Sequence, residues 1–287
     1  MTDEVSFKII RSDGATFTVD GTDWDILSDG LDGWGDVSNA ITSITSAFGD
    51  GSLSTTHRVA SKDRSFSAVT NNLWLSEILR RSATSFFRAK YTYDVYFTYM
   101  GETRWATGYL SKFECPTKNI YDYVEFTVVF YFESPFLKSV DDYGENIADT
   151  IPCIGFPYIC PIGNPLPTSY YREASIVLIE NDGDVETYCK AVFRSSGEVL
   201  NPTLRVGEGY VTVNTTMVEG DVLIMDFTEK PPTIELNGES IVRYADKLST
   251  FSQMGFKVGS NTIEYDAEDG ADLLEVCIYY NKLYETI

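Results

Sequence analysis

The chain reads as mainly β, with two β-sandwich domains, on three observations. Apolar residues alternate with polar ones over short runs, as in Tyr91, Tyr93, Val95, Phe97 and Tyr99, or Val124, Phe126, Val128, Phe130 and Phe132. A period of two puts such residues on one face of a strand. Turn residues interrupt these runs every several positions, the pattern of a sandwich and not of a parallel sheet. Finally, 287 residues with an ordinary apolar share exceed one small sandwich and suit two domains.

In chain order, Val5 to Ile10 and Thr16 to Val19 predict a first hairpin around Ser12-Asp13-Gly14. Asp23 to Ser54 is rich in Gly and Asp, with Trp24 and Trp34 embedded, and is expected to form long loops with a tight turn at Phe48-Gly49-Asp50-Gly51. Thr56 to Ala68 is expected as a polar strand or arm carrying His57, Arg58, Lys62 and Arg64. One helix follows, with Asn71 or Asn72 as its N-cap. Leu75, Ile78, Leu79, Ser82 and Phe86 share its predicted inner face; Glu77, Arg80 and Arg81 lie off it. Lys90 to Tyr99 and Arg104 to Leu110 are expected to pair through Met100-Gly101-Glu102. Val124 to Phe132 is apolar on both sides and is expected to be a central strand covered on both faces.

Domain boundaries follow from proline and charge. Residues 1–138 form the expected first domain. Residues 139–167, with most of a cluster of six prolines starting at Pro135, read as a connector on a surface, because proline supplies no ladder N–H. Residues 168–287 are expected to form the second sandwich. Its best hairpin signal is Asn237-Gly238, since both residues tolerate φ > 0. Asn201 to Phe227 adds three short strands joined at Gly207-Glu208-Gly209 and Glu219-Gly220-Asp221. Residues 1–138 hold 13 Lys/Arg and 18 Asp/Glu, whereas residues 139–287 hold 9 and 25, so most of the net charge of −21 sits in the second part. Such a surface repels free nucleic acid.

The composition argues against most site chemistry. The single histidine, His57, stands in a polar stretch beside Arg58, and no G-x-S-x-G accompanies it. Cys153 and Cys160 lie near one another without histidine, a poor start for zinc. Asp266 to Asp272 and Asn181-Asp182-Gly183-Asp184 lack the ligand spacing of a calcium loop and read as solvated turns. No catalytic, cofactor or metal residues are assigned, and no enzyme activity is expected. A paired-carboxylate hydrolase is disfavoured because 43 acids make any pair cheap. Met1-Thr2-Asp3-Glu4 is acidic where a secretory leader would be basic, so the five cysteines are expected to be free thiols. Asn214-Thr215-Thr216 is then an accidental glycosylation match. No apolar run approaches the ~18–20 residues of a membrane span, so no membrane insertion is expected.

The ordered turns carry a resemblance. Asn181-Asp182-Gly183-Asp184, Asn201-Pro202, Gly220-Asp221 with Leu223, Ile224 and Asp226, Asn237-Gly238, and Gly259-Ser260-Asn261-Thr262-Ile263 with Tyr265 and Ala267 resemble, in order, the distal tail protein family of long-tailed bacteriophages. Asp50-Gly51, Arg58, Arg64, the helix, Gly108 and Ser134-Pro135-Phe136 fit that family's first domain more loosely. The resemblance implies a first sandwich with a β-hairpin and one helix that builds a homohexameric ring, and a galectin-like second sandwich projecting outward. It implies a virion component at the tail tip or baseplate, assembled in the host cytoplasm. Its partners would be the tail tube protein, the tail tip or tail-associated hub protein, and receptor-binding or other baseplate proteins, with DNA only passing through the lumen. Arg58, Lys62 and Arg64 on the arm, and Glu77, Arg80 and Arg81 on the helix, are the expected ring contacts. The alternative of another class is a carbohydrate-binding protein recognising host glycans by stacking on an exposed tyrosine such as Tyr210.

Overall fold

Alternation in the first half becomes one long antiparallel sheet. The computed structural model describes residues 5–45, 50, 52–116, 122–140, 143–148, 150–152, 169–171 and 176–287. It divides into two units, Met1–Val140 with Leu283–Ile287, and Asp141–Lys282.

The first unit runs β1 (Val5–Arg11), β2 (Thr16–Val19), β3 (Trp24–Asp32), β4 (Ala40–Thr45), β5 (Ser52–Arg58), β6 (Lys62–Thr70), α1 (Ser76–Phe86), β7 (Thr92–Tyr99), β8 (Glu102–Glu114), β9 (Glu125–Phe132) and β10 (Leu137–Ser139). Its main sheet has the order β2-β1-β7-β8-β9-β6-β3, with β10 added to β8. β1 and β6 are far apart in that order, yet the rings of Phe7 and Phe66 stack at 4.1 Å. The sheet therefore folds over onto itself, and the two layers close on an aromatic core. Phe126 stands near its centre, with Trp24 at 4.7 Å, Phe87 at 5.7 Å and Phe66 at 5.9 Å. β9 is central, between β8 and β6, but only one of its faces is buried. Tyr131 on the other face is exposed, which corrects the expectation of cover on both sides.

The expected loops at 23–54 are largely strand. β3 pairs with β6 through an irregularity between Ile26 and Leu31, and that break hides its alternation from a sequence reading. Trp24 and Trp34 are both buried. β4 and β5 pair only with each other, and most of the turn expected between them lies outside the described residues. The polar arm at 56–68 is two strands, β5 and β6, separated at 59–61.

The second unit runs β11 (Tyr143–Ala148), β12 (Thr150–Pro152), β13 (Ser169–Tyr171), β14 (Ile176–Asn181), β15 (Thr187–Ser195), β16 (Val199–Leu200), β17 (Thr203–Val206), β18 (Gly209–Thr212), β19 (Thr216–Met217), β20 (Val222–Asp226), β21 (Thr233–Leu236), β22 (Glu239–Ser240), β23 (Gly255–Phe256), β24 (Gly259–Asp266) and β25 (Leu274–Tyr280). One sheet has the order β11-β25-β15-β20-β21-β22 and the other β14-β24-β17-β18. Phe193, Leu223, Met225 and Ile278 of the first share one core with Ile179, Leu204, Val211 and Ile263 of the second. Alternating strands thus bury one side each in a face-to-face sandwich. Asn237 and Gly238 both take positive φ, +52° and +82°, closing the hairpin between β21 and β22 as the dipeptide predicts. β11 belongs to the first of these sheets, so part of the expected connector is a strand. The prolines at 157–167 lie outside the described residues.

The chain does not finish in the second unit. β26 (Leu283–Tyr284) pairs with β10, Leu137 opposite Tyr284 and Lys138 opposite Leu283, and Ile287 packs against the first core. This corrects the boundary of the second domain, which the sequence placed at 287. Leu283, Tyr284 and Ile287 are apolar enough to bury but too few to announce a change of unit.

Two cores imply two separable transitions. Phe126→Ala is expected to cost ~3–5 kcal/mol in the first unit, and Leu223→Ala ~2–5 kcal/mol in the second. Differential scanning calorimetry of the full chain should show each change lowering one melting transition and leaving the other in place.

Candidate interaction surfaces

α1 is docked by a face that keeps Leu79 and Phe86 of the predicted one but is turned away from Leu75, Ile78 and Ser82. Ser76, Ala83 and Phe86 are buried and Leu79 packs on the core, whereas Leu75, Ile78 and Ser82 are exposed. The small side chains of Ser76 and Ala83 let the helix lie close to the sheet, and Phe86 with Phe87 anchors its end among Phe17 and Tyr93. Asn72 supplies the cap: its Oδ1 accepts from the Trp74 N–H at 3.0 Å, at the start of the short 3-10 turn Leu73–Leu75 that leads into α1. At the other end the Arg11 guanidinium donates to the carbonyls of Phe86 (2.7 Å) and Ser85 (3.2 Å), placing a cation at the helix C-terminus.

The docking turns an apolar ridge outward. Trp74 is 94% exposed and Ile78 66%, with Leu75 beside them. Next to this ridge, Glu77 accepts from Arg80 at 2.8 Å and from Arg81 at 3.0 Å. The two guanidinium groups hold the Glu77 carboxyl down at about 2. The predicted acid–base cluster of the helix therefore exists as one triad, already matched within a single chain.

The β4–β5 hairpin is the second exposed feature. Its two strands join no other strand among the described residues, and every β4 side chain is exposed, Ile41 at 59% and Ile44 at 63%. A two-stranded ribbon with neither side covered is marginal in water. Arg58 sits exposed at its base, opposite Ala40.

Arg64 does not belong to an exposed face. It is 1% exposed, and burial pushes its pKa down to about 10. Its Nη2 donates to the Pro135 carbonyl at 2.7 Å and to the Glu285 carbonyl at 3.5 Å, and its Nε to the Gly33 carbonyl at 3.2 Å. Gly33 lies so close that a Cβ there would meet the Asp63 carbonyl at 2.6 Å. Trp34 and Phe132 present their rings to the guanidinium at 5.6 and 5.3 Å. Arg64 is thus a structural residue, and its expected place among ring contacts is corrected. Strand alternation gives the reason: Arg64 shares the inner side of β6 with Phe66 and Ala68. Lys62 is half-buried, and its ammonium donates to the Asp36 carbonyl.

Other candidates resolve simply. Cys115 and Cys189 are free thiols, while Cys153 and Cys160 lie outside the described residues, as does the side chain of His57. Burial pushes the Cys189 thiol up to about 12. Among the described residues, no group of three or more His, Cys, Asp or Glu side chains is placed to hold a metal. Asn181 is buried and donates to the Val185 and Phe256 carbonyls at 3.0 Å each, so its turn is an internal brace. The ring of Tyr210, the residue named for sugar stacking, is half-buried and has the Arg205 guanidinium over it at 5.7 Å. Among the described residues, no helix is long and apolar enough to cross a membrane.

Residues 182–284 match the model of the siphovirus-type tail component, C-terminal domain. They are similar to a tail-component domain. The whole chain shares its fold with the Dit protein of phage SPP1, described as a paradigm of the hub adsorption apparatus in phages infecting Gram-positive hosts. That likeness has a TM-score of 0.66 at 12% identity and covers 96% of this chain and 98% of that one. Chains of the phage p2 baseplate in its activated conformation are also similar. With calcium the TM-score is 0.54 at 12% identity, covering 99% of each chain; with strontium it is 0.53 at 11% identity, again covering 99% of each. No curated protein matches the chain in sequence. At such identities the structural likeness speaks for the fold.

Trp74, Ile41 and Ile44 were not singled out from sequence, and Ile78 was assigned to the inner face of the helix. The available signal was that Ser76, Leu79, Ala83 and Phe86 form an equally periodic helix face, whose small residues permit closer docking.

Two outcomes follow. The Glu77 carboxyl, followed by NMR, should titrate near 2 and return toward 4.5 in the Arg80→Gln/Arg81→Gln double variant. Because the folded pKa is depressed, the triad's contribution is present above the unfolded value and is lost as pH falls toward 2. Arg64→Ala leaves buried carbonyls without a donor and opens a cavity; chemical denaturation should show a loss of roughly 3 kcal/mol or more, confined to the first unit.

Proposed function

We propose that the protein is a structural component of a long phage tail, a hub whose first units join as a ring of six copies between the tail tube and the tip. Its tail-component domain anchors receptor-binding or other baseplate proteins. The observation that carries this reading is the pair of unmatched apolar features on one unit: the free-standing β4–β5 hairpin and the Trp74–Ile78 ridge of α1. A closed ring with head-to-tail contacts needs two different surfaces on each copy, and this unit has two. Exposed apolar residues that gain nothing in a monomer gain burial in such a contact. Arg58 at the hairpin base, with Glu77, Arg80 and Arg81 beside the ridge, supplies a charged rim around the apolar centre. The family match of the second unit and the hub role described for the SPP1 protein support the same reading. Interaction, not catalysis, is the function that these surfaces serve, and the virion is its place.

Light scattering and negative-stain imaging of the purified chain test it. Six-membered rings with a central hole are the expected result. Ile41→Asp/Ile44→Asp and Trp74→Asp should each shift the population toward monomer at least about tenfold, since each buries a charge in the apolar contact. Arg58→Glu should weaken the ring more at low salt than at high salt. Rings that survive all three changes would remove the hairpin and the ridge from the interface.

A further inference from the structure

The two edges of the β14-β24-β17-β18 sheet are treated differently by the fold. The β18 edge is sealed by the chain itself. The Thr250 N–H donates to the Tyr210 carbonyl and the Asp246 N–H to the Thr212 carbonyl, both at 2.8 Å. In return, Thr250 Oγ1 accepts from the Tyr210 N–H at 2.9 Å and Ser249 Oγ from the Thr212 N–H at 3.2 Å. The β14 edge has no such cover: it pairs with β24 on one side, and among the described residues nothing pairs with the other.

Nor does β14 carry the usual protection of an open edge, which is a proline, a lysine, a bulge or a polar face. Its sequence is Ile-Val-Leu-Ile-Glu-Asn in unbroken register with β24. Ile176 is 59% exposed and Leu178 71%, and they share the outer face with Glu180. A strand with an apolar outer face and free backbone groups is a template for strand addition.

We infer that β14 takes up an extended basic and apolar segment of another protein as an added antiparallel strand. The charge of the unit selects this occupant over a second copy. Residues 139–287 hold 25 acidic and 9 basic residues, so two copies repel edge to edge. A partner strand gains by placing apolar side chains against Ile176 and Leu178 and a lysine or arginine opposite Glu180. The inference rests on the anchoring role proposed for this unit and names the kind of segment it holds.

The test uses the full chain and a designed probe, a peptide of about ten residues with alternating valine and threonine and a lysine at each end. The same peptide with glutamate at the ends is the control. Calorimetric titration should give at least about tenfold tighter binding of the lysine peptide, and that peptide should slow amide hydrogen exchange within residues 176–181. Leu178→Lys, at an exposed position, should weaken lysine-peptide binding at least about tenfold and leave the ring population of the wild-type chain unchanged. Binding of neither peptide, equal binding of both, or an unaffected Leu178→Lys variant would overturn the inference. So would concentration-dependent pairing of the wild-type chain that Leu178→Lys abolishes, because the edge would then belong to a second copy. Loss of rings in the wild-type chain would count against the hub alone, since peptide binding is read independently of it.

Discussion

A buried guanidinium that pairs with no carboxylate among the described residues organises the first unit. Arg64 is held by backbone carbonyls from Gly33, Pro135 and Glu285, stretches that lie after β3, after β9 and after β26. A carboxylate would satisfy the charge with a single partner, whereas carbonyls must come from several places, so the side chain ties distant segments into one site. It also lies against the rings of Trp34 and Phe132, continuing the aromatic core to its rim. The position of the loop after β3, and through it the root of the β4–β5 hairpin, depends on this arrangement.

From that anchored rim outward, the first unit presents exposed apolar surfaces. The charged triad of α1 is internally matched, the buried thiol of Cys189 is raised far above neutrality, and the unmatched features are apolar. Exposed apolar residues gain burial when another surface covers them. The acidic surplus of the second unit has a complementary effect, favouring basic partners and discouraging unplanned contact between copies.

Much of the second unit was legible in the sequence because its strands are short, regular and bounded by turn residues with a conformational reason to be there. Asn237-Gly238 fixed a hairpin, and Leu223 with Met225 alternated as a one-sided strand should. The first unit was harder to read where geometry departs from regular spacing. β3 carries an irregularity that breaks its alternation. α1 offered two overlapping apolar stripes, and the choice between them was made by Ser76 and Ala83, whose value lies in their small size. Arg64 looked like a surface residue by type, and only its place on the inner side of β6 reveals otherwise. The return of Leu283–Ile287 depends on a contact between residues about 145 apart in sequence, which no local pattern encodes.

That return has a mechanical meaning. The second unit is spliced into the first between β10 and β26, so the chain crosses between the units twice, after Val140 and before Leu283. β10 and β26 are antiparallel neighbours, with Lys138 opposite Leu283, and both crossings leave from the same end of that ladder. A pull on the second unit is then shared by two covalent lines and drags both strands together, in place of peeling one from the other. This closed path resists tearing without any added bond.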